Sequence, residues 1–180
     1  MLGKTHLVSS EAISLTAVNY YSQTNHVTVP LVITTIIFAS VGFGSLLPDV
    51  DSRNSELNKT TIFGLFYKHF FINVKHRGFT HTLWNVFLFM YISLLLESNH
   101  FYIAVCIFGI SIGILIHIIE DGFSANKVDI WYPFVLKNTN KHRHFFHYKV
   151  GGFMEKSMYV LFWVLLVTSL KNAYLIYFVL

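Results

Sequence analysis

The chain has 180 residues, a single domain's worth, with 13 Lys and Arg against 9 Asp and Glu for a formal net charge of +4. Charged types make up 12% and apolar types 54%, with mean hydropathy +0.54; an ordinary soluble surface carries about 25% charge. The single cysteine, Cys106, excludes a disulfide framework and a cysteine-rich zinc site, and the bases are split between two segments, so no nucleic-acid partner is expected.

Residues 5–21 are weakly apolar with Ser and Thr interspersed, fitting a short helix buried in a bundle or lying at an interface. This start carries Lys4, His6 and Glu11 and lacks a small-residue cleavage site, so no cleavable leader is expected and internal segments must insert. Residues 22–28 are polar and loop-like. Pro30 then opens a charge-free run, 31–47, which Pro48 closes, because proline suits a helix's first turn and disfavours helix in the residue before it. Residues 49–75 are polar, with an aromatic middle at 61–71 suited to a membrane interface. The next helix is expected to begin at Gly78 or Thr80 and run through 83–96. A tight link, Glu97-Ser98-Asn99-His100, leads to a second charge-free run, 101–119. Residues 122–156 are polar and basic. Residues 157–170 are apolar again, and Lys171-Asn172 is expected to interrupt them before a last apolar tail.

Several of these runs reach the ~17–25 residues that span a bilayer, which favours a membrane protein over a soluble all-helical one with long buried helices. The 83–96 run is short for a full span, so its helix must start early or be shielded by neighbours. Segments 48–82 and 120–156 hold almost all the Lys and Arg, while 22–29 and 97–100 hold none, which orients the charged segments to the cytoplasm. The fold expected is all-α: one domain over 1–180, a multi-pass transmembrane bundle of about four to five helices. If 5–21 and 31–47 form a hairpin, His6 returns to the charged face.

The residues with chemistry cluster at the ends of these runs. Asp49 and Asp51, directly after the helix-ending Pro48, can present oxygens to one or two cations, or can cap a solvated turn. Their place at the end of an uncharged membrane-length run makes them functional suspects. His76 and His81 are imidazole donors of the kind that bind zinc; five residues apart, they converge only if a helix starts between them. Arg77 offers a planar fork for an anionic substrate group, although the same residues would serve as a basic membrane anchor. Thr80 supplies a supporting hydroxyl. His117 and Asp121, four apart, share one helical stripe: both can touch metal, Asp121 can hold a histidine's other nitrogen, or the pair can simply close a helix. Glu120 lies about 100° round that helix and is not expected to be a ligand. The Lys141-His142-Arg143-His144-Phe145-Phe146-His147 cluster suits an anionic lipid surface more than a metal.

Leu46-Leu47-Pro48-Asp49-Val50-Asp51 with Ser55, then His76-Arg77-Gly78-Phe79-Thr80-His81, then His117-Ile118-Ile119-Glu120-Asp121, resembles the YdjM-like family of inner-membrane metal-dependent hydrolases. Thr5-His6, Tyr132-Pro133-Phe134 and Gly151-Gly152-Phe153-Met154-Glu155 also look like that family's positions, so the resemblance covers most of the chain. It implies a place in the bacterial inner membrane, association with LexA and a distant likeness to zinc-dependent phospholipases C, all-helical enzymes that cleave phosphodiesters. By that likeness Glu155 becomes a metal ligand. Glu120 and the loop Gly122-Phe123-Ser124-Ala125-Asn126 depart from the family's usual Leu-Asp-x-x-Thr run.

The expectation is therefore a hydrolase of phosphoester or phosphodiester bonds, with a lipid head group or similar as substrate. One to three divalent ions, zinc first, would be held by His6, Asp49, Asp51, His76, His81, His117, Asp121 and Glu155, with Arg77 and Thr80 beside them. The alternative is a non-catalytic metal-binding membrane protein, either a structural module or a metal transporter. A transporter should place its site at mid-bilayer on broken, symmetry-related helices, and the chain shows no internal repeat.

Overall fold

Pro30 and Pro48 bound the first charge-free run, and the structure makes it a helix over Leu31–Leu46. A computed structural model of the chain describes residues 1–66, 70, 78–124, 130–134 and 148–178. The helices are α1 (Gly3–Asn25), α2 (Leu31–Leu46), a short α3 (Thr61–Phe66), α4 (Leu83–Leu96), α5 (Phe101–Gly122) and α6 (Phe153–Phe178). Tight 3-10 turns occupy Pro48–Asp51, Leu57–Lys59 and Phe79–His81, and no strand occurs among the described residues.

Three boundaries differ from the sequence expectation. The first helix is longer than 5–21 and ends only where His26 takes a left-handed conformation (φ 52°), with Val27 N–H donating to the Ser22 carbonyl (3.2 Å). The helix expected from Gly78 or Thr80 begins instead at Leu83, after a 3-10 turn carrying His81. Lys171-Asn172 does not interrupt α6: both side chains are exposed, so the charge never enters the packed face and the helix continues through them.

The packing order across the bundle is α4, α5, α2, α1, α6, with each helix set against its neighbour in that series. The α2–α5 seam is the tightest. A Cβ built on Gly113 of α5 would lie 2.7 Å from the Ser45 amide nitrogen and 2.8 Å from the Gly44 carbonyl carbon of α2. Only a residue without a side chain lets the two backbones approach this far. Elsewhere Val8, Ala12, Leu15 and Leu166 join α1 to α6, and Val86, Ile114 and Ile118 join α4 to α5.

Polarity is inverted relative to a water-soluble bundle. Helix α1 buries Ser9, Ser10, Ser14, Asn19 and Ser22, and the hydroxyls of Ser9 and Ser14 are satisfied by carbonyls of their own helix. The outward faces of α4 and α6 instead expose Leu94, Leu95, Leu161 and Val164 by more than half. Such faces suit hydrocarbon, where no hydrophobic penalty attends their exposure. Leu31–Asp51, α5 and α6 are each long and apolar enough to cross a membrane. Helix α4, at 14 residues, spans about 21 Å, short of the ~30 Å hydrocarbon layer.

The helices alternate in direction, so α1, α4 and α6 begin and α2 and α5 end at one pole. At the other pole Tyr177 donates to the Val29 carbonyl (2.7 Å) and pairs with the Thr34 hydroxyl (2.6 Å), joining the end of α6 to the start of α2. Ser93 donates to the Ala104 carbonyl (2.8 Å), closing the α4–α5 hairpin there. The first pole gathers the polar residues.

Candidate metal centre

Pro48 stops α2 and sets a 3-10 turn, in which successive residues rotate by about 120°. Asp49 and Asp51 therefore point in different directions, although the sequence spacing suggested a shared task. Asp49 faces the bundle axis, with its Oδ1 3.8 Å from Nε2 of both His81 and His117. Asp51 sits behind His81, accepting the Thr80 hydroxyl at 2.5 Å and lying 3.6 Å from His81 Nδ1.

His81 ends the Phe79–His81 turn and is fully buried. Thr80 Oγ1 lies 3.0 Å from its Nδ1. Since that hydroxyl gives its proton to Asp51, it is left to accept the Nδ1 proton, and Nε2 keeps its lone pair. His117, on α5, has Nδ1 2.6 Å from the Ser45 carbonyl oxygen. A carbonyl only accepts, so Nδ1 again carries the proton and Nε2 the lone pair. His6, on α1, stacks on His117 with ring centroids 3.8 Å apart and planes inclined by 21°. Its Nδ1 lies 2.6 Å from Glu120 Oε2, an acceptor, which fixes the same tautomer.

Asp121 completes the cluster from the last turn of α5. Its Oδ2 lies 3.8 Å from His81 Nε2 and 3.9 Å from His117 Nε2, and its Oδ1 lies 3.4 Å from His6 Nε2 and 2.5 Å from the Met1 nitrogen. Two overlapping groups, His6–Asp49–His117 and His81–His117–Asp121, each bring their ligand atoms within 4.8 Å of one another and could hold a metal ion.

The fit can be tested on the donors themselves. Nε2 of His6 and of His117 are buried with no hydrogen-bond partner among the described residues, and both face carboxylate oxygens. A lone pair aimed at a carboxylate is repulsive, and an unmet buried acceptor costs about 1–3 kcal/mol. A divalent cation between them reverses both effects, giving the lone pairs an acceptor and the carboxylate oxygens of Asp49 and Asp121 positive charge beyond that of the Met1 amine on Asp121. Two ligands at ~2.1 Å from a tetrahedral zinc stand about 3.4 Å apart. The 3.8–3.9 Å separations here need only shifts of a few tenths of an ångström. Asp49, with a side chain 17% exposed, is the one member of these groups open to the outside; the imidazoles are at 0% and Asp121 at 1%.

Glu155 does not join either group. Its Oε1 accepts the Leu2 N–H (2.5 Å) and its Oε2 the Gly151 N–H (2.6 Å), so it ties the starts of α1 and α6 together. Gly151 presents that N–H from φ +76°, a conformation that favours glycine. His76, Arg77 and the His142–His147 cluster lie outside the described residues. Sequence reasoning missed two supports: Glu120 behind His6, and the Ser45 carbonyl behind His117. The second is a backbone atom and leaves no residue-type signal.

Fold and site together define a multi-pass helical membrane protein with a buried His/Asp cluster at one pole. The chain belongs to the YdjM inner membrane protein family, whose sequence model matches residues 1–179. It is 30% identical over 156 residues to the uncharacterized protein YvsG of Bacillus subtilis (strain 168), an alignment covering 87% of this chain and 86% of that relative. No solved structure matches the chain.

Proposed function

We propose that this chain is a membrane-bound, metal-dependent hydrolase of phosphoester or phosphodiester bonds, with its site at the cytoplasmic face. One observation carries the reading: the Nε2 lone pairs of His6, His81 and His117 converge with Asp49 and Asp121, and each imidazole is fixed from behind. Imidazole with carboxylate is a donor set suited to zinc, and a bound zinc ion supplies Lewis acidity and an acidified water at that point. The residues' own tasks follow from their positions. Asp49, partly open, meets the incoming substrate side of the cluster, while Asp121 and the three imidazoles hold the buried side. Thr80 and Asp51 lock His81 in register. Arg77, four residues before His81, would pair with an anionic substrate oxygen.

Orientation is supported by charge. Every Lys and Arg except Lys171 lies in the first turn of α1 or α6 or in the links that join helix ends at the site pole. A phospholipid head group is the substrate that fits best, since a site at the membrane face meets head groups by lateral diffusion. A site at one pole, not at the bilayer midplane, argues against a transporter. The test is metal content together with turnover of a chromogenic phosphodiester, wild type against His81→Ala. Turnover lost with the metal supports the hydrolase. Bound metal without any turnover in the wild type would favour a structural metal module.

A further inference from the structure

Glu120 is a buried carboxylate that neither metal group contains, and it stands one residue from a member of one of them. Its Oε2 lies 2.6 Å from His6 Nδ1, and its Oε1 is buried with no hydrogen-bond partner among the described residues. Tyr148 donates to its backbone carbonyl (3.3 Å), which pins this turn of α5. A buried carboxylate with one oxygen unmet is costly unless positive charge lies near, and the described neighbour on its other oxygen is an imidazole.

We propose that Glu120 is a positioning residue for the metal centre. It holds His6 as the Nδ1–H tautomer, so that Nε2 faces Asp121, and it polarises the ring so that Nε2 becomes a stronger donor to a divalent cation. Helix α1 reaches the cluster from the side of α5 that Glu120 occupies, which is why a residue turned away from Asp121 still serves the same centre. The three imidazoles are supported by three different acceptors: a carboxyl group for His6, a hydroxyl for His81 and a backbone carbonyl for His117.

This rests on the metal reading above, and the experiment separates the two. The full chain in detergent is titrated with zinc against a chromophoric chelator and with cobalt by its visible absorption, for wild type, Glu120→Gln and Glu120→Leu. Gln keeps an acceptor oxygen but no charge; Leu keeps neither. Zinc affinity should fall about 10-fold in Gln and toward 100-fold in Leu, and the cobalt spectrum of the Leu variant should show one imidazole fewer. A merely structural role would lower the melting temperature of the metal-free protein without changing the cobalt spectrum. Zinc affinity and cobalt spectrum equal to wild type in Glu120→Leu would overturn the assignment of Glu120 alone. A wild-type chain that binds neither ion would overturn the metal reading and this one with it.

Discussion

Gly113→Ala is the perturbation that most sharply links the fold to the site. The added methyl would sit 2.7 Å from the Ser45 amide nitrogen and 2.8 Å from the Gly44 carbonyl carbon, and closer still to the Val41 carbonyl oxygen. Ordinary carbon–oxygen contact needs ~3.3 Å or more, so the α2 and α5 backbones must part by about 1 Å. Overpacking of this kind costs typically 1–3 kcal/mol. The consequence for the site is more specific. The Ser45 carbonyl belongs to the same stretch of α2 and accepts the His117 Nδ1 proton at 2.6 Å. Parting the helices by about 1 Å takes that bond beyond hydrogen-bond range, frees the His117 ring, and should lower zinc affinity by about 10-fold or more. Gly122→Ala is the matched control, because a Cβ there meets nothing within 4 Å. Gly109→Ala is intermediate, since its nearest neighbour is the Ser40 side chain and not backbone. Competition titration with a chromophoric zinc chelator on detergent-solubilised protein measures the order. If Gly113→Ala matches Gly122→Ala in both melting temperature and zinc affinity, the seam does not position His117 and the reasoning fails.

Thr80→Val removes both the donor to Asp51 and the acceptor for His81, and should weaken zinc binding about 10-fold; Thr80→Ser should restore it, and equal affinity for all three proteins would refute the role. Glu155→Gln replaces one carboxylate acceptor by an amide donor facing a backbone N–H, so it should cost about 1–3 kcal/mol of stability while leaving zinc stoichiometry unchanged. Loss of zinc at unchanged melting temperature would instead make Glu155 a ligand.

How much of this was legible from the sequence depends on the kind of signal. The run opened by Pro30 and closed by Pro48, and the link at 97–100, located α2, the end of α4 and the start of α5, because helix boundaries there are set by local chemistry. The four-residue spacing of His117 and Asp121 placed both on one face of α5, and the structure brings them to within 3.9 Å. The continuity of α6 through Lys171 was not legible, since the sequence does not say which face of a helix is solvent-accessible. Asp49 and Asp51 looked equivalent; only the 3-10 turn assigns one to the centre and the other to the back of His81. The angle of Glu120 from Asp121 argues against a ligand role, and neither candidate group contains it; what that angle does not show is its place behind His6, which arrives on another helix. Glu155 offered a ligand-type side chain by resemblance, yet the backbone amides of Leu2 and Gly151 occupy both its oxygens.

The central claim is that side chains from α1, the turn after α2, the turn before α4 and the end of α5 grip a common cation. Elemental analysis of the purified full chain after dialysis against zinc tests it directly, with His117→Ala alongside, since His117 belongs to both ligand groups. The account predicts at least one zinc ion per wild-type chain and its loss in the variant. A folded wild type that retains no zinc, or a variant that retains as much as wild type, would contradict it.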